Sequence, residues 1–145
     1  MSSPQSPHAP HHRPFALRGI DHVVLRVRDL ERMRGFYCDV LGCAVERAQP
    51  ELGLTQLRAG RSLIDLVTVD GKLGRAGGPP PARAGHNVDH VCLSITGYDE
   101  VALRAFLVHH GAEVGEAGWR YGADGEGPSL YVTDPEGNGV ELKGP

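Results

Sequence analysis

Eight histidines stand in this chain of 145 residues, beside three cysteines. Imidazole carries protons near neutral pH and is a common ligand for first-row metals, so its placement decides which chemistry is open. His8, His11 and His12 lie in MSSPQSPHAPHHRP, a Pro- and Ser-rich stretch with nothing to pack. They read as part of a disordered tail over residues 1–17. His109 and His110 close an expected helix, where positive charge is favourable. His86 falls in a Gly/Pro-rich linker. Only His22 and His90 sit inside alternating apolar segments.

An internal repeat relates those two. IDHVVLRV from Ile20 and VDHVCLSI from Val88 run in parallel at an offset of 68, with Asp, His, Val and Leu shared. GCAVERA from Gly42 and GAEVGEA from Gly111 continue the match, and IDL at Ile64 aligns with VEL at Val140. Asp65 and Glu141 are therefore equivalent positions as well. Side chains alternate along a strand, so Val23, Leu25 and Val27 cover one face while His22 points to the other. The same phase turns His90, Asp65 and Glu141 to the concave face. Two imidazoles with one or two carboxylates suit one divalent ion of Fe, Mn, Zn, Ni or Co, with positions left for substrate oxygens. The cysteines form no metal-type pair. Cys38 and Cys43 read as structural, and Cys92 lies two residues from His90 on the same face.

The elements that must hold these residues follow from periodicity. Strands are expected over 18–27, 44–48, 54–58, 62–69, 88–96, 130–133 and 140–143, with a short one at Val114. One helix begins after Asp29 and stops at Gly42; a second spans 98–110 and stops at Gly111. Residues 71–87, with Lys72, Arg75 and Arg83, read as a connector, since they lack the Gly-Lys-Ser/Thr order of a phosphate loop. Residues 115–127 read as a loop in which Trp119, Arg120 and Tyr121 are candidates for substrate contact. The result is an α+β chain of two tandem βαβββ modules: 18–70, linker 71–87, and 88–143, together one domain over 18–143.

Composition closes other routes. The net charge is -3, without the basic surplus of a nucleic-acid binder. No apolar run approaches the ~18 residues of a membrane span. The start lacks the basic and apolar segments of a signal peptide, and the cysteine count fits a reducing compartment, so the expected location is cytoplasmic.

IDHVVLRVRDLERMRGFYCDVLGC, VDHVCLSI and GPSLYVTDPEGNGVELK together resemble the vicinal oxygen chelate superfamily of glyoxalase I, extradiol dioxygenases and bleomycin-resistance proteins. The resemblance covers 18–143 and is nearest to short glyoxalase-domain proteins. It implies that the modules form a curved, barrel-like eight-stranded mixed sheet with a metal on its concave face. It places His22, His90 and Glu141 at the regular ligand positions and Asp65 at the fourth, where Glu or Gln is usual. Arg26 matches an arginine that helps bind glutathione in bacterial glyoxalase I. The implied partners are a small molecule chelating the metal through adjacent oxygens, such as a glutathione or other thiol adduct, and a second copy in a homodimer. The implied activity is that of a lyase or isomerase of lactoylglutathione lyase type. In it, Glu141 is ligand and base with Asp65 as its partner, turning a hemithioacetal into an α-hydroxy thioester. VTVDGKLG replaces the Asn-Trp-Gly segment usual there. Two alternatives stand beside it. One is an Fe(II) extradiol dioxygenase with His86 or Tyr131 assisting; the other is a non-catalytic binding protein of the bleomycin-resistance type.

Overall fold

Apolar alternation brings each first strand into parallel pairing with the last strand of its own module. The computed structural model describes residues 13–145. The expected tail therefore lies largely outside the described residues. The first module runs β1 (His22–Val27), α1 (Leu30–Arg34), β2 (Ala44–Gln49), β3 (Leu54–Ala59) and β4 (Ser62–Thr68). A short helix α2 (Lys72–Arg75) opens the linker. The second module runs β5 (His90–Ser94), α3 (Glu100–His109), β6 (Glu113–Gly122), β7 (Gly125–Thr133) and β8 (Gly139–Lys143). The eight strands form two four-stranded mixed sheets, ordered β1-β4-β3-β2 and β5-β8-β7-β6. This is the α+β architecture of the vicinal oxygen chelate fold, and the repeat extends to its irregularities. A register shift falls between Val45 and Arg47 in one module and between Val114 and Ala117 in the other.

The helices start and stop where their sequences dictate. Asp29 accepts from the backbone amide of Arg32, and Asp99 from that of Ala102, each satisfying a first-turn donor. After α1 the chain widens into π-helical turns over Gly35–Val40. Gly42 and Gly111 then leave the helices at φ +87 and +77, a backbone region that costs glycine nothing. The largest departure from expectation is at 115–127. These residues are not a loop: they belong to a long β6–β7 hairpin turning at residues 123–124. Glycines at 115, 118, 122, 125 and 127 mask the alternation there, and tertiary pairing overrides their weak strand propensity.

The two modules share one core. Leu25, Met33, Phe36 and Leu66 join Leu107, Leu130, Val132 and Leu142 in one buried cluster. The seam is closed by the DPEGN turn. Buried Tyr37 donates to Asp134 Oδ2 at 2.8 Å. The Glu136 carboxylate accepts from the amides of Arg28 and Asp29 at 2.7–2.9 Å. Asn87 accepts from the Arg26 amide at 2.9 Å and donates to the Arg26 carbonyl at 3.0 Å. Burial and then the charge of Asp134 push the Tyr37 phenol well above its ordinary 10.0.

Candidate metal centre

The core-facing side chains of both sheets point into the shared cluster, so the alternate positions turn away from it. His22, Asp65, His90 and Glu141 occupy those alternate positions. The parallel pairings then decide which of them meet. β1 beside β4 puts Val24 opposite Asp65 and brings His22 Nε2 to 3.9 Å from Asp65 Oδ2. β5 beside β8 puts Cys92 opposite Glu141 and brings His90 Nε2 to 3.2 Å from Glu141 Oε1. The four residues thus form two pairs, one per module. Among the described residues no three His, Cys, Asp or Glu side chains converge as a metal cluster. The four expected ligands stand as two separate pairs, because each sheet closes its own pair.

Both imidazoles are held from behind in the same way. His22 Nδ1 lies 2.7 Å from Asp21 Oδ1, and His90 Nδ1 lies 2.6 Å from Asp89 Oδ2. A carboxylate on Nδ1 places the proton there and leaves Nε2 as the lone-pair donor facing Asp65 or Glu141. Asp21 first, then the charge of Asp65, hold His22 above its ordinary 6.5. The sequence carries a signal for these two aspartates, since the Asp-His dipeptide recurs in both halves of the repeat.

The carboxylates are buried: Asp65 is 4% exposed and Glu141 is 5% exposed. Asp65 Oδ2 accepts from Gln56 Nε2 at 3.2 Å, while Oδ1 is buried with no hydrogen-bond partner. A buried carboxylate oxygen with no donor is costly, and a cation is a natural partner for it. The donor set, two imidazole nitrogens and two carboxylates, fits a first-row divalent ion. Glu141 Oε1 also accepts from Tyr131 Oη at 2.9 Å, and the Tyr131 ring meets the edge of His90 at 5.5 Å. Burial, then the Glu141 charge, pushes the Cys92 thiol up to about 11.

The remaining candidates scatter. Arg26 spends its guanidinium on the linker, donating to the carbonyls of Gly77, Gly78 and Pro79 at 2.6–2.8 Å. The linker is therefore tied down by the residue that the resemblance assigned to a ligand. His86 lines a cleft of about 480 Å³ with Arg28, Arg83 and Glu136, and none of the four candidate ligands lines it. Arg120 lies over Tyr131, its guanidinium carbon 5.9 Å from the ring centre. Trp119 and Tyr121 alternate with Arg120 on β6 and take the opposite face, where both are exposed. A strand, unlike a loop, cannot turn all three toward one ligand.

The family model of the Glyoxalase/Bleomycin resistance protein/Dioxygenase superfamily matches residues 19–142. A catechol-2,3-dioxygenase of Bacillus subtilis (strain 168) is 27% identical over 124 residues, which are 85% of this chain and 40% of that protein. The chain thus spans less than half the length of this curated relative. An integron cassette protein from the mobile metagenome of V. cholerae superposes with TM-score 0.69 at 25% identity, over 90% of this chain and 97% of that one. A lactoylglutathione lyase from Agrobacterium tumefaciens superposes with TM-score 0.61 at 23% identity, over 91% and 96% of the two chains. No helix among the described residues is long and apolar enough to cross a membrane.

Proposed function

The chain belongs to the glyoxalase/bleomycin resistance/dioxygenase superfamily, and from that premise we propose a homodimeric, metal-dependent enzyme of glyoxalase type. Its substrate is a small molecule that presents two adjacent oxygens. Each site is assembled from the His22–Asp65 pair of one subunit and the His90–Glu141 pair of the other. One observation carries this reading: two matched imidazole–carboxylate pairs, each His backed by an aspartate, sit on separate sheets whose ligand faces turn away from the common core. Neither pair alone fills a coordination shell, and a twofold arrangement joins two such pairs twice over.

When bound, a divalent ion supplies Lewis-acid stabilisation of enolate-like charge on the substrate oxygens. The chain supplies the rest. Glu141 moves the proton between neighbouring substrate carbons. Tyr131 holds one oxygen of that carboxylate and fixes its direction. Asp65 is the partner carboxylate from the other half-site. Burial of both carboxylates keeps bulk water from competing for the proton.

The test is complementation between broken subunits. His22→Ala and Glu141→Ala chains, each with its own tag, are co-expressed and the mixed dimer is isolated. In that dimer one site carries both lesions and the other carries none. It is expected to hold about one tight metal per two subunits by equilibrium dialysis, while either variant homodimer holds none. A mixed dimer as empty as the homodimers would show that the site is not shared.

A second reading is favoured by the hydrogen bond from Tyr131 to Glu141 beside His90 and by the likeness to a catechol dioxygenase. In it the same residues hold Fe(II) and the substrate is a catechol. Oxygen uptake by the Fe(II)-loaded protein with catechol would select it over the isomerase reading.

A further inference from the structure

Two residues beyond Glu141, on the same face of β8, lies a lysine where the repeat places Val67 in module one. Lys143 is 6% exposed. Its ammonium makes one long hydrogen bond, to the carbonyl of Gly144 at 3.3 Å. No carboxylate among the described residues lies within ion-pair distance of it. A buried ammonium so poorly met is expensive, and such groups are kept where a ligand answers them.

Its surroundings are shaped for the same purpose. Ser129 is directly opposite Lys143 in the β7–β8 register, so their side chains share a face. Ser129 is 0% exposed, and its hydroxyl oxygen has no hydrogen-bond partner. Next across the sheet, Gly118 pairs with Ser129. A Cβ there would meet the Arg120 guanidinium, Nη1 at 2.5 Å. A Cβ on Gly122 would stand 3.1 Å from Lys143 Cδ and Cε, and one on Gly127 would stand 2.5 Å from the carbonyl oxygen of Gly144 and 2.9 Å from Lys143 Nζ. Gly118 and Gly122 thus leave room for two cationic side chains to lie flat, while Gly127 admits the turn of the chain at Gly144. Arg120 donates to the neighbouring carbonyl of Trp119, at 3.3 Å, and lies over the Tyr131 ring.

We propose that Lys143, Arg120 and Ser129 form a subsite for a carboxylate carried by the substrate, one short spacer away from the oxygens that approach Glu141. The subsite rests on the metal-dependent reading above for its second half, the chelating end of the ligand. Glu141 and Lys143 are two residues apart on one strand, about 7 Å between Cα atoms. That span suits an aromatic ring or a few carbons between the adjacent oxygens and the carboxylate. The Ser129 hydroxyl donates one hydrogen bond, and the two cations supply charge-assisted ones.

Catechol and 3,4-dihydroxybenzoate test this, since they share the adjacent oxygens and differ by one carboxylate across the ring. They are titrated calorimetrically into Zn(II)-loaded protein under argon. The benzoate is expected to bind wild type at least about 10-fold tighter than catechol, as hydrogen bonds to a charged group allow. In Lys143→Met that preference falls to about 2-fold or less, and in Arg120→Met it falls partway, with catechol affinity little changed. Equal affinity of the two probes for wild type, or an unchanged preference in Lys143→Met, overturns the subsite. A second readout needs no metal. Removing an unmet buried charge is expected to raise the Tm of metal-free Lys143→Met by about 2–6 °C. A Tm that is unchanged or lower would mean that the fold itself satisfies Lys143, and would also overturn the subsite. If neither probe binds the zinc form while the Tm still rises, the metal-dependent reading fails and the unmet charge of Lys143 stands.

Discussion

The His22–Asp65 pair and the His90–Glu141 pair descend from one repeated pattern and sit in different surroundings. In the first, the carboxylate is one methylene shorter, the gap to Nε2 is 3.9 Å, and an amide from Gln56 is the neighbour. In the second the gap is 3.2 Å, Tyr131 holds the carboxylate, and Arg120 and Lys143 lie farther along the same face. The cationic residue on the face of His22, Arg26, is consumed by the linker. The symmetric parts are those a metal needs, and the asymmetric parts are those a substrate needs. On the proposed reading, module one completes a coordination shell. On the same reading, module two supplies both ligands and specificity.

The largest effect should come from the ligands themselves. Glu141→Ala and His22→Ala are each expected to weaken divalent-metal binding by more than about 100-fold in equilibrium dialysis, beyond what outer-shell changes cause. Equal losses would support equal ligand roles for the two halves. A His22→Ala protein with full affinity would break the comparison, leaving module one without a metal role.

Next come the aspartates behind the imidazoles. Asp21→Asn and Asp89→Asn are each expected to reduce metal affinity by about 10–100-fold while leaving the melting temperature in place. Because both contacts have nearly the same length, the two losses should match. A loss confined to Asp89→Asn would show that only module two is tuned.

The smallest effect concerns the seam that joins the two regions. Tyr37→Phe removes a buried hydrogen bond to Asp134 and is expected to cost about 1–3 kcal/mol in urea unfolding near neutral pH. The folded phenol titrates above its ordinary 10.0, so the folded state keeps the proton that the unfolded state releases. Stability is therefore full below pH 10 and is lost as the pH rises beyond it. Tyr37→Phe should flatten that alkaline decline. An identical decline in the variant would place its origin elsewhere.

The repeat made the skeleton and the two imidazole–carboxylate pairs legible. Alternation gave the faces of β1 and β5, the capping aspartates and Gly42 and Gly111 gave the helix ends, and the matched IDL and VEL gave Asp65 and Glu141. What was not legible depends on neighbours in space. The β6–β7 hairpin reads as loop because its glycines have no side chains to show a period, yet those glycines are what let Arg120 and Lys143 lie flat. Arg26 sits in a position that suits a ligand, and only the folded path of the linker shows it satisfied by three carbonyls. The separation of the ligands into two pairs follows from parallel pairing inside each module, which no spacing along the chain encodes.

The turn at Glu136 has one more consequence, for synthesis. Its carboxylate fastens the amide of Asp29, 107 residues earlier, and Asp134 fastens Tyr37 across 97 residues. A ribosome must therefore release the β7–β8 turn before the first module can be locked. Such long-range closure delays the locking of the first module until the second has been made and leaves the β1–β4 sheet unsealed in the meantime.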